Sequence, residues 1–192
     1  RVLRKVPVEV IYNAVDLERF APGEGDGSRL DELAGLPPAP RGALRVGLVA
    51  TYARWKGQDL FLKAAAQLVR RAAGVKVRFY VVGGPVYRTE GSQFSGVELR
   101  GLAAELGLSG RAGFVEFQAD IVQFFRALDA VVHASIRPEP FGLTIAEAMA
   151  CGKPVAVARG GGAAELFTDG QDALGFECGN GAELARVLER LV

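Results

Sequence analysis

Two glutamates, Glu139 and Glu147, stand with seven residues between them in ASIRPEPFGLTIAEAMACGKPV. A carboxylate accepts two hydrogen bonds at once, which suits the vicinal hydroxyls of a ribose or a sugar. Pro140 and Gly142 punctuate the interval, and Leu143–Ala150 reads as a short helix. The free N–H groups of Gly142, Leu143 and Thr144 would make its N-terminus an anion site. Glu147 lies about one turn inside, and helical side chains lean back toward the N-terminus, so its carboxylate can reach a ligand at the mouth. Glu139 approaches the same mouth from the loop. This geometry suits a diphosphate on the helix dipole with a polyol held on each side. The bland alternative is two solvated helix-start acids, each favoured by the dipole by about 0.3–1 kcal/mol.

Two cations add to this chemistry. Arg54 and Lys56 precede a helix in TYARWKGQD, where they could meet an anion, although a solvated turn explains them too. Gly83–Gly84–Pro85 and Gly160–Gly161–Gly162 each follow an apolar run, either bringing backbone close to a ligand or making tight turns. Single His133 ends an apolar run and reads as a satisfied buried histidine. Cys151 and Cys178 read as packing residues, and Asp120 and Asp129 as helix caps.

The elements that must position these residues follow from hydrophobic patterning. Strands are expected at Val8–Tyr12, Leu44–Thr51, Val75–Gly83, Gly113–Phe117, Ala130–Ala134 and Pro154–Ala158. Helices are expected at Gln58–Ala73, Gly96–Leu106, Ile121–Leu128, Leu143–Ala150, Ala163–Phe167 and Ala182–Leu191. Residues 21–42, rich in Pro and Gly with a weak helix around Arg29–Ala34, read as a loop excursion. Alternating strand and helix from Leu44 onward implies crossover units on a parallel sheet. Strands apolar at nearly every position, such as LRVGLVA, fit a sheet covered on both faces. The expectation is one α/β domain over residues 1–192, a Rossmann-like doubly wound parallel sheet. Ligands of such sheets bind beyond the carboxyl ends of the strands, where the residues above fall.

Composition closes other routes. With 192 residues the chain can bury a core without staples. Net charge is +1, from 23 basic and 22 acidic residues, so no global field draws nucleic acid or an anionic membrane. Two cysteines fit a reducing compartment, and one histidine leaves no multi-histidine metal site. No phosphate loop of the Gly-x-x-x-x-Gly-Lys type and no Gly-x-Gly-x-x-Gly after a strand is present, which argues against a phosphoryl-transferring NTPase and against NAD or FAD. The 25 glycines are roughly twice the usual share, as many turns or close backbone approaches would require. The opening RVLRKVPVEVIYN and the closing ELARVLERLV fit a piece of a larger protein.

These residues together resemble the donor-binding C-terminal domain of GT-B glycosyltransferases of family 4, the glycosyltransferase group 1 family. VIYNAVDLERFAP is similar to the family's entry strand, with Ala14 where a glycine is usual. WKGQDLFLKAAAQL is similar to its Lys-Gly helix. VRFYVVGG, GFVEFQADIVQFFRALDAVVHAS and GGGAAELFTDGQDALGF also have counterparts, and Glu139 and Glu147 reproduce its Glu-x7-Glu signature. The resemblance covers nearly the whole chain.

By that resemblance, Glu139 contacts the donor sugar and Lys56 neutralises the diphosphate leaving group, and both are expected to be catalytic. Glu147 is expected to hold the ribose, with the amides around Phe141, Gly142, Leu143 and Thr144 on the sugar and diphosphate. Base contacts are expected from backbone near Arg111–Phe114 and Gly84, with Gly83 beside it. The family usually carries an arginine a few residues before the lysine; here Thr51 stands there, and Arg54 is the candidate substitute. The implied reaction is retaining transfer of a sugar from a nucleotide sugar, UDP first and GDP second, needing no further cofactor and no metal. The partner implied is an N-terminal acceptor domain, without which the chain would bind donor but turn nothing over. The implied location is cytoplasmic, with the inner membrane face reached only through that other domain. Competing readings are a nucleotide-sugar epimerase or phosphorylase on the same architecture, or a non-catalytic nucleotide-binding domain.

Overall fold

The computed structural model describes residue 7 and residues 9–72, 74–86 and 89–192. Six strands form one parallel sheet: β1 Leu44–Val49, β2 Val77–Val82, β3 Ala112–Val115, β4 Ala130–His133, β5 Val155–Arg159 and β6 Leu174–Glu177. Their order is β3-β2-β1-β4-β5-β6. Helices α1 Gly27–Leu33, α2 Gln58–Arg71, α3 Gly96–Glu105, α4 Val122–Ala127, α5 Leu143–Ala150 and α6 Gly181–Leu191 cover it. The doubly wound architecture expected from the alternation is therefore the one observed.

Both sheet faces are sealed. On one, Phe61, Leu62 and Leu68 of α2, Leu99 of α3 and Leu184 and Leu188 of α6 pack against Val46, Leu48, Phe79 and Val81. On the other, Leu30 of α1, Phe124 and Phe125 of α4 and Ile145 and Ala148 of α5 pack against Val49, Tyr80, Val131 and Val157. This is why β2 is buried at all six positions. Each fully buried Leu or Phe contributes about 1.5–3 kcal/mol of transfer free energy.

Five expectations need correction. Val8–Tyr12 is not a strand over its described residues: residues 9–12 lie exposed and pair with no strand, whereas Val8 lies outside the described residues. β6 was not expected, because LGFE is four residues long and includes a glycine. The 21–42 excursion holds a packed helix, α1, capped by the Asp26 side chain accepting from the Arg29 amide at 2.9 Å. Asp120 and Asp129 cap nothing: Asp120 pairs with Arg19 at 3.4 Å, and Asp129 accepts the Arg45 amide at 2.7 Å, which ties β1 to the start of β4. The Ala163–Phe167 segment is one turn of 3₁₀ helix over Gly162–Glu165.

The strand order reverses direction between β1 and β4, so the connections leaving these neighbours diverge and open a crevice beyond their carboxyl ends. No described helix is long and apolar enough to cross a membrane.

Candidate functional site

Of the sequence candidates, Thr51, Lys56, Gly83, Glu139, Thr144 and Glu147 line two cavities in this crevice. A cavity of ≈ 430 Å³ is lined by Ala50 and Thr51 beyond β1, by Lys56, by His133 and Ser135 at the end of β4, by Glu139 of the following loop and by Thr144 of α5. A second cavity of ≈ 210 Å³ shares Ala50, Thr51 and Thr144 with it and adds Gly83, Phe117, Gln118 and Glu147. Both open where the strands end and the helices begin.

Local backbone chemistry sets Lys56 in place. Arg54–Lys56 form one 3₁₀ turn, and Gly57 then takes φ +73° before α2 starts. A Cβ at Gly57 would lie 2.0 Å from the Ala134 carbonyl oxygen, so only glycine lets this turn close on β4. The Ile136 amide donates to the Trp55 carbonyl at 2.8 Å and locks the two loops together. Trp55 lies under the Lys56 ammonium, 4.0 Å from its ring centroid. Trp55 carried no signal in the sequence beyond being next to the lysine.

Glu139 is held from behind. Gly161, at φ +64°, lies so close that a Cβ there would sit 2.4 Å from the Glu139 carbonyl oxygen. The Gly160–Gly162 cluster therefore packs backbone against the Glu139 loop. Lys56 Nζ donates to Glu139 Oε2 at 2.6 Å, with the two side chains 22% and 10% exposed. Ser135 Oγ also donates to Oε2, at 3.1 Å, and His133 Nε2 lies 3.4 Å from it. Burial pushes the Glu139 carboxyl up, but hydrogen bonds from His133 and Lys56 outweigh it and bring it down to about 2. Glu139 is thus a buried, charged carboxylate. His133 is buried, as expected, but it belongs to this site and is no isolated core residue.

Glu147 differs. Burial raises its carboxyl above the ordinary value, opposed only by the charge of Arg19. It faces the smaller cavity with Gly83 and Phe117 and leaves Glu139 to the larger. Gly142 takes φ +93° at the start of α5, and no side chain caps the helix, so its first N–H groups remain available to an anion. Of the expected amide group, Thr144 lines both cavities. Phe141 and Gly142 form the adjoining turn, with the Phe141 ring 6.4 Å from that of Tyr12, and the Leu143 side chain is 43% exposed.

Two expected site residues stand elsewhere. Arg54 donates to Glu98 at 2.7 Å and to the Gly91 carbonyl at 3.0 Å, and stacks over Phe94 at 4.3 Å. It faces α3 and does not line either cavity. Arg111 precedes β3, so it lies at the amino end of the sheet, donating to the Val75 carbonyl at 3.3 Å. The residues at the carboxyl end of β3 are Phe117 and Gln118, which line the smaller cavity with Gly83; Gly84 lies against Phe117. Thr51 does line both cavities, and its buried Oγ1 has no partner among the described residues.

The sequence pattern of the family Glycosyl transferases group 1 matches residues 38–192. The chain belongs to this family. Among curated relatives, the D-inositol 3-phosphate glycosyltransferase of Rhodococcus erythropolis is 34% identical over 188 residues, covering 96% of this chain and 40% of the relative. That of Nocardia farcinica is 37% identical over 170 residues, 87% of this chain and 36% of the relative. The chain thus spans about two-fifths of the length of these group 1 glycosyltransferases. Among solved structures, Anabaena Alr3699/HepE in complex with UDP and glucose is 35% identical with a TM-score of 0.79, over 95% of this chain and 46% of that one. The C-terminal domain of a group 1 glycosyltransferase, LpcC, from Francisella tularensis is 27% identical with a TM-score of 0.74, over 93% and 87%. Group 1 glycosyltransferases of the GT-B fold are therefore what this sheet and its helices are similar to.

Proposed function

We propose that this chain is the donor-binding half of a retaining glycosyltransferase, taking a UDP-sugar in the joined cavities beyond β1 and β4. The observation that carries the reading is the Lys56–Glu139 pair at the sheet crevice, flanked by the open first turn of α5. The diphosphate lies between the Lys56 ammonium and the amides of Gly142–Thr144, where cation and dipole are already oriented. Glu139 accepts from sugar hydroxyls. Glu147 accepts from the ribose hydroxyls, and the base lies between Gly83, Gly84 and Phe117. A UDP donor is favoured by the HepE neighbour, whose structure contains UDP and glucose. In the transfer, the anomeric C–O bond to the β-phosphate breaks, the acceptor hydroxyl oxygen bonds to the same face, and its proton passes to the departing diphosphate. Lys56 and the helix N-terminus stabilise the departing diphosphate. A second domain brings the acceptor, and this half alone binds donor without turnover.

The test is calorimetric titration of the chain with UDP, GDP, UDP-glucose and GDP-mannose. UDP binding that falls by on the order of 10- to 100-fold in Lys56→Ala fits the loss of one charge-assisted contact. A preference for GDP would move the base assignment, and a Lys56→Ala variant that binds like the parent would remove the diphosphate from this crevice.

A further inference from the structure

His133 is the only histidine of the chain, and it sits with its side chain 5% exposed on the floor of the larger cavity. Its Nε2 is 3.0 Å from Ser135 Oγ and 3.4 Å from Glu139 Oε2, while its buried Nδ1 meets no partner among the described residues. Hydrogen-bond accounting selects the tautomer. The Glu139 carboxylate can only accept, and the Ser135 hydroxyl has one proton to give. If that proton goes to Glu139, His133 must carry its own on Nε2 and donate toward Ser135 and Glu139. The reverse arrangement would place an N–H on Nδ1, a buried donor with no acceptor, which is worse than a lone pair left unfilled. The Nε2–H form therefore brings three donors, from Lys56, Ser135 and His133, onto Glu139 Oε2 alone. Glu139 Oε1 takes no protein hydrogen bond among the described residues.

We infer that His133 is a positioning residue for donor-sugar recognition: through Ser135 it fixes the rotation of the Glu139 carboxylate so that Oε1 is presented to a sugar hydroxyl. The charged groups facing His133 are Glu139, from the loop after β4, and Lys56, from the turn after β1. The inference rests on the reading of Glu139 as the sugar contact, and it separates His133 from the diphosphate and base contacts.

Two measurements test it. In the first, UDP-glucose and UDP are titrated into the chain, His133→Phe and His133→Gln. Phe keeps bulk but removes the donor, whereas Gln can place an amide N–H near the position of Nε2. The expected result is UDP-glucose affinity about 5- to 10-fold lower in His133→Phe, as for one lost neutral hydrogen bond. UDP affinity should hold, and His133→Gln should recover most of the loss. Equal loss for both ligands, or no rescue by Gln, would assign His133 a packing role only. In the second, long-range ¹H–¹⁵N NMR reads the single imidazole without any ligand. An Nε2–H tautomer that is perturbed in Glu139→Gln is expected, and an Nδ1–H tautomer overturns the inference. Should the unaltered chain bind neither ligand, the donor reading fails and the tautomer alone decides on His133.

Discussion

Two buried carboxylates, Asp31 and Glu139, sit at opposite ends of the sheet and are satisfied in opposite ways. Asp31 Oδ1 takes the Tyr80 hydroxyl and lies 3.4 Å from Arg78, while Oδ2 takes Arg45 at 2.9 Å and the Ala39 amide at 3.1 Å. Both oxygens are used, and the partners are Arg45 near the start of β1, Arg78 and Tyr80 of β2, and the chain following α1. Glu139 instead gathers all its donors on Oε2 and keeps Oε1 clear, at the carboxyl ends of β1 and β4. In each, burial pushes the carboxyl up and hydrogen bonds win, so both stay charged. A carboxylate saturated on both oxygens fastens one piece of chain to another. A carboxylate saturated on one side only is built to meet something else.

Disrupting the fastening should give the largest stability effect. Asp31→Ala strands Arg45 and Arg78 near the core and should cost about 3–5 kcal/mol in urea denaturation, with nucleotide affinity per folded molecule unchanged. Lys56→Ala should do the reverse: a smaller stability loss, about 1–3 kcal/mol for one donor removed from a buried carboxylate that keeps Ser135 and His133, but a marked loss of nucleotide binding. If both variants lose stability alike and neither affects ligand, the contrast between the two clusters is wrong.

Acid should sharpen the comparison. A carboxyl whose folded pKa lies below its unfolded one stabilises the fold above the unfolded pKa, and that stability is lost as pH falls through the folded value. For Glu139 the window runs from the ordinary 4.5 down to about 2. Glu139→Gln should therefore shallow the loss of stability over that range, measured by denaturation at successive pH values. An unchanged acid limb would mean that Glu139 is not held charged by its partners. The smallest effect expected is that of Arg54→Ala. Its pair with Glu98 is solvent-exposed at 43% and 49%, so removal should leave stability in urea denaturation nearly unchanged and UDP affinity intact.

Much of this was legible in the sequence because parallel strands buried on both faces read as unbroken apolar runs. β1, β2, β4 and β5 were therefore found, and the rule that ligands lie beyond strand ends led to Glu139, Glu147 and Lys56. Arg111, expected from the family resemblance, precedes its strand and lies at the other end of the sheet, whereas Phe117 and Gln118 follow theirs and line the smaller cavity. β-branched residues at Val8–Tyr12 looked like a strand, but strand propensity needs a sheet edge to pair with, and sequence does not show which edges are open. His133 looked like core because it is core. Only the position of Ser135 and Glu139 around it, set by the return of the loop after β4, reveals its second role. Arg54 and Lys56 lie two residues apart, and the 3₁₀ turn sends them to different neighbours.

The position of a bound donor separates the two ends of the sheet most directly. Amide chemical-shift mapping of the chain during titration with UDP-glucose would decide it. The largest changes are predicted at Gly83, Gly84, Phe117 and Gly142–Thr144 and around Lys56 and Glu139, all beyond the carboxyl ends of the strands. Changes centred instead on Lys76, Arg78 and Arg111, at the amino ends, would contradict it.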